Sequence, residues 1–455
     1  MSFNSMEFAI FLPTVFLFYW VLPHRFRWLL LLAASYLFYC WWDFGAGFLL
    51  ISATLVSWLC AQGIHRAERL RARKLYLCLA LAVCLGCLGI FKYAGFFASL
   101  AGLDLPLKIL LPVGISFYTF QALSYVLDVY RGDTAPENHF GYYALFVSFF
   151  PQLVAGPIER SERLLPQLKQ RRQFREVDFA AAGQLLLTGY FKKLVVADYL
   201  APWVDQVYAA PDAATALEIL IATVLFGFQI YCDFSGYSDI ARGASKLLGI
   251  DLMENFRLPY SAASIRDFWR RWHISLTGWF TDYVYIPLGG SWKGLLCQIR
   301  NVLIVFLLSG LWHGADWTYV IWGGIHGCYL ILELLCRRHA VEKQETSISG
   351  HILTFSLVNF AWLFFRADSL SDAGALLSGL LTRWQLPMNL MSLTPDGILR
   401  IALSLFCLHL IERRTIAEKS GTAVQAVFYL VTVIGIGGLL LMAASGQNAF
   451  IYFQF

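Results

Sequence analysis

Long uncharged apolar runs follow one another along almost the whole chain. A helix needs about 20 apolar residues to cross a hydrocarbon core of roughly 30 Å, and several runs approach or reach that length. The runs cover residues 8–23, 28–42, 44–64, 75–91, 109–127, 140–158, 219–232, 301–315, 317–332, 351–365, 401–411 and 420–455. With mixed segments near 180–200 and 235–250, they predict about ten to twelve membrane spans plus several re-entrant or interfacial helices.

The composition indicates that lipid, rather than water, surrounds most of the chain. Of 455 residues, 58% are hydrophobic and only 14% are charged, whereas a soluble protein carries about 25% charged residues. These values exclude a disordered, collagen-like or nucleic-acid-binding protein. No polar block is long enough to fold separately. The sequence therefore predicts an all-α polytopic membrane protein with a single domain over residues 1–455.

Positive charge is concentrated in two short segments, residues 65–74 and 159–175. The positive-inside rule places both segments in the cytoplasm. Their Lys and Arg side chains could also hold the phosphates of a nucleotide-bearing substrate, but membrane topology alone already explains them. The net charge of +5 indicates no polyanionic partner beyond anionic membrane lipid.

Ionisable residues and tryptophans are concentrated between residues 231 and 314, beside segments that lie at or in the membrane. They occur in four stretches, at residues 231–239, 253–260, 265–275 and 309–314. An ionisable group at membrane depth costs several kcal/mol unless a partner or a water-filled cavity compensates for its desolvation. This region is therefore the candidate functional site.

Two histidines in this region are the candidate catalytic residues. His313 follows an apolar run and lies between Trp312 and Gly314, which predicts a helix end inside the protein. His273 follows two arginines, and two short membrane-associated segments between it and His313 can return the chain to the same depth. A pair of imidazoles can act as base and orienting group in a transfer reaction, because a histidine takes up a proton near neutral pH. For His313, a histidine that caps an interfacial helix end is the alternative.

His326 is a third histidine that could line the same cavity or complete a metal site. Metal binding is the weaker interpretation, because neither the HxxxH nor the HExxH spacing occurs, so no metal is expected. The nucleophile elbow of serine hydrolases and the Walker phosphate loop are absent as well. These absences argue against esterases and ATP-driven transporters of those types.

Several blocks resemble the membrane-bound O-acyltransferase family. The similarity runs from residue 8 to residue 455 and is closest to the bacterial branch that acts in alginate O-acetylation. The blocks are FWRRWHIS at 268–275, GLWHG at 310–314, DFSGYSD at 233–239, MENF at 253–256, LPVGISF at 111–117, PQLVAGP at 151–157 and FIYFQF at 450–455.

The resemblance implies a ring of tilted helices, with re-entrant and interfacial helices, around a central tunnel. It implies that His313 is catalytic and that His273 is the second polar position of the site. It also implies an acyl donor at the cytoplasmic face, acetyl-CoA or another acyl thioester, with no permanently bound cofactor. In this branch the acetyl group passes through an extracytoplasmic acetyltransferase partner to a polysaccharide acceptor, which places the chain in the bacterial inner membrane.

The expected activity is therefore O-acetylation of an exported polysaccharide, with His313 as general base and His273 orienting it or hydrogen-bonding the oxyanion. Acyl transfer to a lipid, a teichoic acid or a protein is the alternative within the enzyme class. A non-enzymatic transporter is a further alternative, although the sequence shows neither repeated halves nor paired broken helices. Which residues bind the donor is left open by the sequence.

Overall fold

The computed structural model describes residues 1–41, 43–103, 111–154, 156–339, 347–385 and 395–416. Helices account for the regular structure, and no strand occurs within those ranges. The predicted all-α class is therefore confirmed. The predicted apolar run at 420–455, with its FIYFQF block, lies outside the described residues.

The chain folds as two compact units, and each unit is built from ranges that are not contiguous in the sequence. The first unit contains Met1–Leu186, Ser238–Glu254 and Thr281–Tyr283, and the second contains Leu187–Tyr237, Asn255–Phe280 and Val284–Phe455. The four sequence stretches with ionisable residues fall mostly in the second unit, which also holds both candidate histidines. The assembly of residues 1–455 into one domain stays a prediction.

The first unit begins with a series of apolar helices. Asp43 begins the third of them, because its carboxylate accepts the main-chain N–H groups of Gly45 and Ala46 as an N-cap residue does. This helix packs against the fourth and sixth. The helices are α1 (Met6–Val21), α2 (His24–Cys40), α3 (Phe44–Arg66), α4 (Leu70–Leu88), α5 (Ala94–Leu100), α6 (Ile115–Arg131), α7 (Phe140–Ser148), α8 (Phe150–Leu153), α9 (Ser161–Lys169) and α10 (Phe179–Tyr190), whose last residues belong to the second unit.

The second unit carries the candidate site. Its helices are α11 (Asp198–Tyr208), α12 (Ala216–Leu247, whose last turns belong to the first unit), α13 (Ile265–Arg271), α14 (Ile274–Phe280), α15 (Leu295–His313), α16 (Trp317–His339), α17 (Ile348–Arg366), α18 (Leu370–Thr382) and α19 (Pro395–Ile416). A π-helical segment, Phe191–Ala197, joins α10 to α11. Helix α15 packs along α16, and the short helix α13 packs against α16 and α17. This packing brings the 265–275 and 309–314 stretches into one group.

Six helices of the described chain are long and apolar enough to cross a membrane, which makes this a multi-pass membrane protein. They are Phe44–Arg66, Leu70–Leu100, Ala216–Leu247, Leu295–His313, Trp317–Cys336 and Ile348–Arg366, and three shorter apolar helices accompany them. The number is below the ten to twelve predicted for the whole chain, because some runs form shorter helices and the run at 420–455 lies outside the described residues. The run at 140–158, for example, is divided at Phe149 into α7 and α8.

Candidate active site

Two glycines explain why His313 lies at the end of a tightly packed helix. His313 is the last residue of α15, as the sequence predicted. A Cβ atom on Gly310 would overlap the main-chain carbonyl of Tyr319, and a Cβ on Gly314 would overlap the Tyr319 ring. Only glycine allows α15 to approach α16 this closely. The GLWHG block therefore fixes the imidazole of His313 against α16.

The backbone at His273 has a conformation that non-glycine residues rarely adopt. His273 connects α13 to α14 and has a φ of 44°, in the left-handed region. The neighbouring residue Asn255 accepts the main-chain N–H of Ile274 with its carbonyl oxygen, at 2.9 Å. Its side-chain Oδ1 accepts the Ser275 hydroxyl at 2.6 Å and the Ser275 main-chain N–H at 3.3 Å. Backbone strain of this kind persists where surrounding contacts hold it, and it is concentrated at functional sites.

The structure brings the two candidate histidines together. The centroids of the His273 and His313 rings lie 6.5 Å apart with an angle of 63° between the ring planes. Both side chains are almost completely buried, at 1% and 2% exposure. Forty residues of sequence separate them, so the packing of α13 and α15 creates the pair. Their chemical roles stay predictions.

Aromatic rings enclose both imidazoles. The Phe234 ring lies 4.7 Å from the His273 ring, edge-on. Trp322 contacts His313 at 5.0 Å, and Phe365 contacts it at 5.5 Å. Trp312 lies within ring-contact distance of both histidines, at 5.9 Å from His273 and 5.0 Å from His313. Such an enclosure excludes bulk water from the space around the pair.

Burial determines the protonation state of His273. It lowers the pKa of His273 from 6.5 to about 3, and a hydrogen bond with the backbone of the same residue opposes the shift only in part. Desolvation disfavours the charged imidazolium, so the ring is neutral at pH 7. A group with so low a pKa is a weak base but a good neutral hydrogen-bonding partner. His273 is therefore better suited to orient or hydrogen-bond another group than to take up a proton itself.

A buried ion-pair group includes Asp233, the residue before Phe234, whose ring contacts His273. The ammonium group of Lys193 is 2.8 Å from Asp233 and 2.9 Å from Asp198, and the lysine side chain is 1% exposed. Burial alone would lower the pKa of Lys193, but the two carboxylates outweigh it and raise that pKa above its ordinary value. Asp233 directly precedes Phe234 on α12. The DFSGYSD block thus contains both a carboxylate of the buried ion-pair group, Asp233, and an aromatic ring that contacts His273, Phe234.

His326 lies next to the pair, separated from His313 by one indole ring. Trp322 contacts the His313 ring at 5.0 Å and the His326 ring at 5.2 Å. Nε1 of Trp269 donates a hydrogen bond to Nδ1 of His326 at 3.3 Å. Within the described ranges, no group of three or more His, Cys, Asp or Glu side chains is arranged to hold a metal ion. His326 is thus a member of an aromatic cluster.

Asn255 supports the backbone around His273, a role that the sequence pattern did not indicate. The available signal was the MENF block, in which Asn255 lies between Glu254 and Phe256 in a mostly apolar part of the chain. The partner of that block could not be identified from spacing, because Ser275 lies twenty residues further along the chain. Asn255 is 1% exposed, which is unusual for an asparagine unless it is hydrogen-bonded.

Comparison with known proteins shows the family of this chain. Residues 137–371, which include both histidines, match the family model described as MBOAT, membrane-bound O-acyltransferase family. A probable alginate O-acetylase of Azotobacter vinelandii is 40% identical over 82% of this chain and 76% of its own length. A probable alginate O-acetylase of Pseudomonas putida is 35% identical over the full length of both chains.

A third relative carries a different name. The peptidoglycan O-acetyltransferase of Helicobacter pylori is 36% identical over 83% of this chain and 79% of its own length. Similarity at this level over most of the sequence, together with the matching family model, establishes the kind of enzyme. The chain belongs to the membrane-bound O-acyltransferase family and is a membrane-bound acyltransferase.

Proposed function

We propose that this acyltransferase moves an acetyl group from a cytoplasmic thioester, acetyl-CoA or another acyl thioester, for O-acetylation of an exported polysaccharide. In this proposal it works in the bacterial inner membrane together with an extracytoplasmic acetyltransferase partner. The observation that carries the proposal is the buried His273–His313 pair, whose rings lie 6.5 Å apart. The names of three relatives, two alginate O-acetylases and a peptidoglycan O-acetyltransferase, support acetyl as the group and a carbohydrate polymer as the final acceptor.

His313 is the proposed general base. It takes the proton of the acceptor hydroxyl as that oxygen attacks the carbonyl carbon of the acetyl thioester. A C–O bond forms, the C–S bond breaks, and the proton passes from His313 to the departing thiolate. The products are an acetyl ester and a free thiol, so no external oxidant or proton source is required.

His273 is the proposed orienting group. Its imidazole is neutral, because burial lowers its pKa to about 3, and a neutral ring can donate one hydrogen bond and accept another. It can therefore hold His313 in one orientation or donate to the oxyanion that forms on the acetyl carbonyl. The surrounding rings keep water away from the thioester, which would otherwise be hydrolysed.

The test is the acetyl content of exported polysaccharides from cells that carry the wild-type chain, His313→Ala, His409→Ala or no chain. His409 is an exposed histidine on α19, so His409→Ala controls for the loss of an imidazole outside the site. Membrane abundance of each variant is measured in parallel. Peptidoglycan and secreted polysaccharide are analysed separately to identify the acceptor.

The proposal predicts that acetyl groups are lost equally with His313→Ala and with no chain, while His409→Ala retains them. Acetylation that is unchanged in all strains would contradict the proposal and favour a lipid, teichoic acid or protein acceptor. Acetylation lost only when the chain is absent would assign the protein a non-catalytic role, such as transport.

A further inference from the structure

Three buried N–H groups beside the histidine pair have no hydrogen-bond acceptor among the residues that the structure describes. They are Nε1 of Trp272, Nε1 of Trp322 and Nε2 of His326. All three side chains are fully buried, with 0% exposure. Buried tryptophans usually find a partner for the indole N–H, because an unpaired buried donor retains its full desolvation penalty. Three such donors close together therefore require an explanation.

The three side chains that carry these donors each lie within ring-contact distance of a single indole ring, that of Trp362. The Trp362 centroid lies 5.0 Å from Trp272, 5.7 Å from Trp322 and 6.5 Å from His326. The N–H of Trp362 itself is satisfied, because it donates to the Tyr260 hydroxyl at 3.1 Å. The fold can thus satisfy an indole N–H in this cluster, and it leaves the other three donors without a protein acceptor in the described ranges. We call Trp272, Trp322 and His326 the donor cluster.

The donor cluster adjoins both histidines of the candidate site. Trp272 directly precedes His273 in the chain. The Trp322 ring stands perpendicular to the His313 ring, with centroids 5.0 Å apart and an angle of 89°. A ligand that fills the donor cluster would therefore lie next to the proposed base.

The chemistry of the donor cluster restricts the ligand to a hydrogen-bond acceptor. An indole N–H only donates. Nδ1 of His326 accepts the Trp269 N–H, so the proton of the neutral imidazole lies on Nε2, which also donates. The nearby ring of Phe268 stacks on both Trp272 and His326 and supplies an apolar wall.

The donor-only character of this cluster distinguishes between the two substrates of an acyl transfer, the acyl donor and the hydroxyl acceptor. Each sugar hydroxyl brings a hydrogen that needs an acceptor, and the donor cluster offers only donors. A thioester carbonyl accepts without donating, and the methyl of an acetyl group fits an aromatic wall. The thioester is thus the better match.

We propose that Trp272, Trp322 and His326 bind carbonyl oxygens of the acyl thioester, and that they form the donor-binding subsite of the histidine pair. The inference rests on the proposed function and names the residues that hold its donor. The carbonyls concerned are those of the thioester and of the amides in the pantetheine arm. Coenzyme A and a pantetheine-bearing carrier protein share them.

The test is direct binding of two thioesters, acetyl-CoA and nucleotide-free acetyl-pantetheine, to purified full-length protein with His313→Ala, which prevents turnover. Trp272→Phe and Trp322→Phe remove one N–H each and keep an aromatic ring. His326→Asn places an amide oxygen near Nδ1 and removes the Nε2 donor, whereas His326→Gln restores a donor near Nε2. Calorimetry gives the Kd, and thermal unfolding gives the Tm of each variant.

Trp58→Phe is the matched control. The Trp58 N–H is satisfied by the Glu137 carbonyl at 2.7 Å, and Gln62 donates to the same oxygen at 2.8 Å. Removing the Trp58 N–H therefore breaks one internal hydrogen bond but leaves the carbonyl with a partner. We expect a lower Tm and an unchanged Kd for both thioesters.

For the donor cluster the expectation is reversed. Each loss of an N–H raises the Kd of both thioesters about 3- to 10-fold, the effect of one hydrogen bond, while the Tm stays the same or rises because an unpaired buried donor has been removed. His326→Gln should bind more tightly than His326→Asn. The same donor-cluster substitutions in protein that retains His313 should show the same changes in the KM for the donor.

Two results would overturn the inference while the proposed function stands. One is an unchanged Kd with a lowered Tm in the donor-cluster variants, which would make these N–H groups structural. The other is an effect on acetyl-CoA but not on acetyl-pantetheine, which would place the contact on the nucleotide. Failure of wild-type protein to transfer acetyl from any thioester, with no binding of either probe, would instead refute the proposed function as well.

Discussion

The two histidines of the site face each other but are held in place by opposite means. His313 ends a long helix, and its position follows from close backbone packing at Gly310 and Gly314. His273 lies between two short helices in a left-handed conformation, and hydrogen bonds to Asn255 hold the residues that follow it. The first support is apolar and depends on shape, whereas the second is polar and local.

This difference agrees with the proposed roles of His313 as general base and His273 as orienting group. A general base must be rigid relative to its substrate, and close helix packing provides that rigidity. An orienting group must present one ring nitrogen in one direction, which a locally hydrogen-bonded turn can fix. The comparison can be tested by breaking each support separately and by removing each imidazole.

The largest effect is expected from removing the base. His313→Ala should lower the rate of acetyl transfer about 10²- to 10⁴-fold, the usual contribution of general base catalysis. His273→Ala should have a smaller effect, because a neutral orienting ring only assists His313. The rates are measured with purified protein at saturating acetyl-CoA.

The double variant sharpens this prediction. If His273 acts only through His313, then His273→Ala should change little once His313 is alanine, since residues that act as a unit are not additive. Independent, additive losses would contradict the orienting role. Equal abundance and Tm of all variants is the required control.

The sequence indicates the two histidines of this pair, but it does not indicate the residues that hold them in place. His313 is recognisable because it follows an apolar run and precedes a glycine. The reason for that glycine, contact with Tyr319, depends on the path of α16 after the turn. Helix-forming runs are read from local composition, but close approach between two helices is a property of their packing.

A large effect on folding is expected from Gly310→Ala. The added Cβ would overlap the Tyr319 carbonyl, which is backbone and cannot move aside as a flexible side chain can. Overpacking of this kind costs about 1–3 kcal/mol or more. The matched control is Gly86→Ala on α4, where the new Cβ would meet no atom within 4 Å apart from its own helix backbone and its chain neighbours. Thermal unfolding should show a clear loss for Gly310→Ala and none for Gly86→Ala; equal effects would contradict the packing argument.

A comparable effect on stability is expected from breaking the polar support of His273. Asn255→Ala leaves the hydroxyl and main-chain N–H of Ser275 without their acceptor, which costs about 2–3 kcal/mol. Ser275→Ala removes only the hydroxyl and should cost about 1 kcal/mol. Both variants should lower kcat strongly and change the KM for the thioester little, because they disturb the orientation of His273. A kcat unchanged in Asn255→Ala would mean that Asn255 supports the fold alone.

The conformation of His273 shows where sequence interpretation ends. A positive φ at a histidine is unusual, and no local pattern in the FWRRWHIS block predicts it. It depends on residues 255–257, which pair with 271–275 through main-chain hydrogen bonds such as Arg257 N–H to the Arg271 carbonyl at 2.9 Å. The division of the 140–158 run into α7 and α8 is a similar case, since uniform hydrophobicity does not reveal a break at Phe149.

A further expected effect is a pH dependence of stability that belongs to His273. Burial lowers its pKa to about 3 in the folded protein, while the unfolded chain titrates near the ordinary value of about 6.5. As the pH falls below that value, the unfolded state binds a proton that the folded state does not, so stability is lost as the pH decreases. Between pH 7 and pH 5 one such group contributes a loss of about 2 kcal/mol.

His273→Asn tests this contribution, because asparagine does not titrate and tolerates a positive φ. We expect the Tm of the His273→Asn variant to fall less between pH 7 and pH 5 than the Tm of the wild-type protein. The His409→Ala variant, which lacks an exposed imidazole, should keep the wild-type dependence. If His273→Asn and wild-type protein lose the same stability, His273 is not held neutral by burial, and its proposed role as a neutral orienting group loses its electrostatic support.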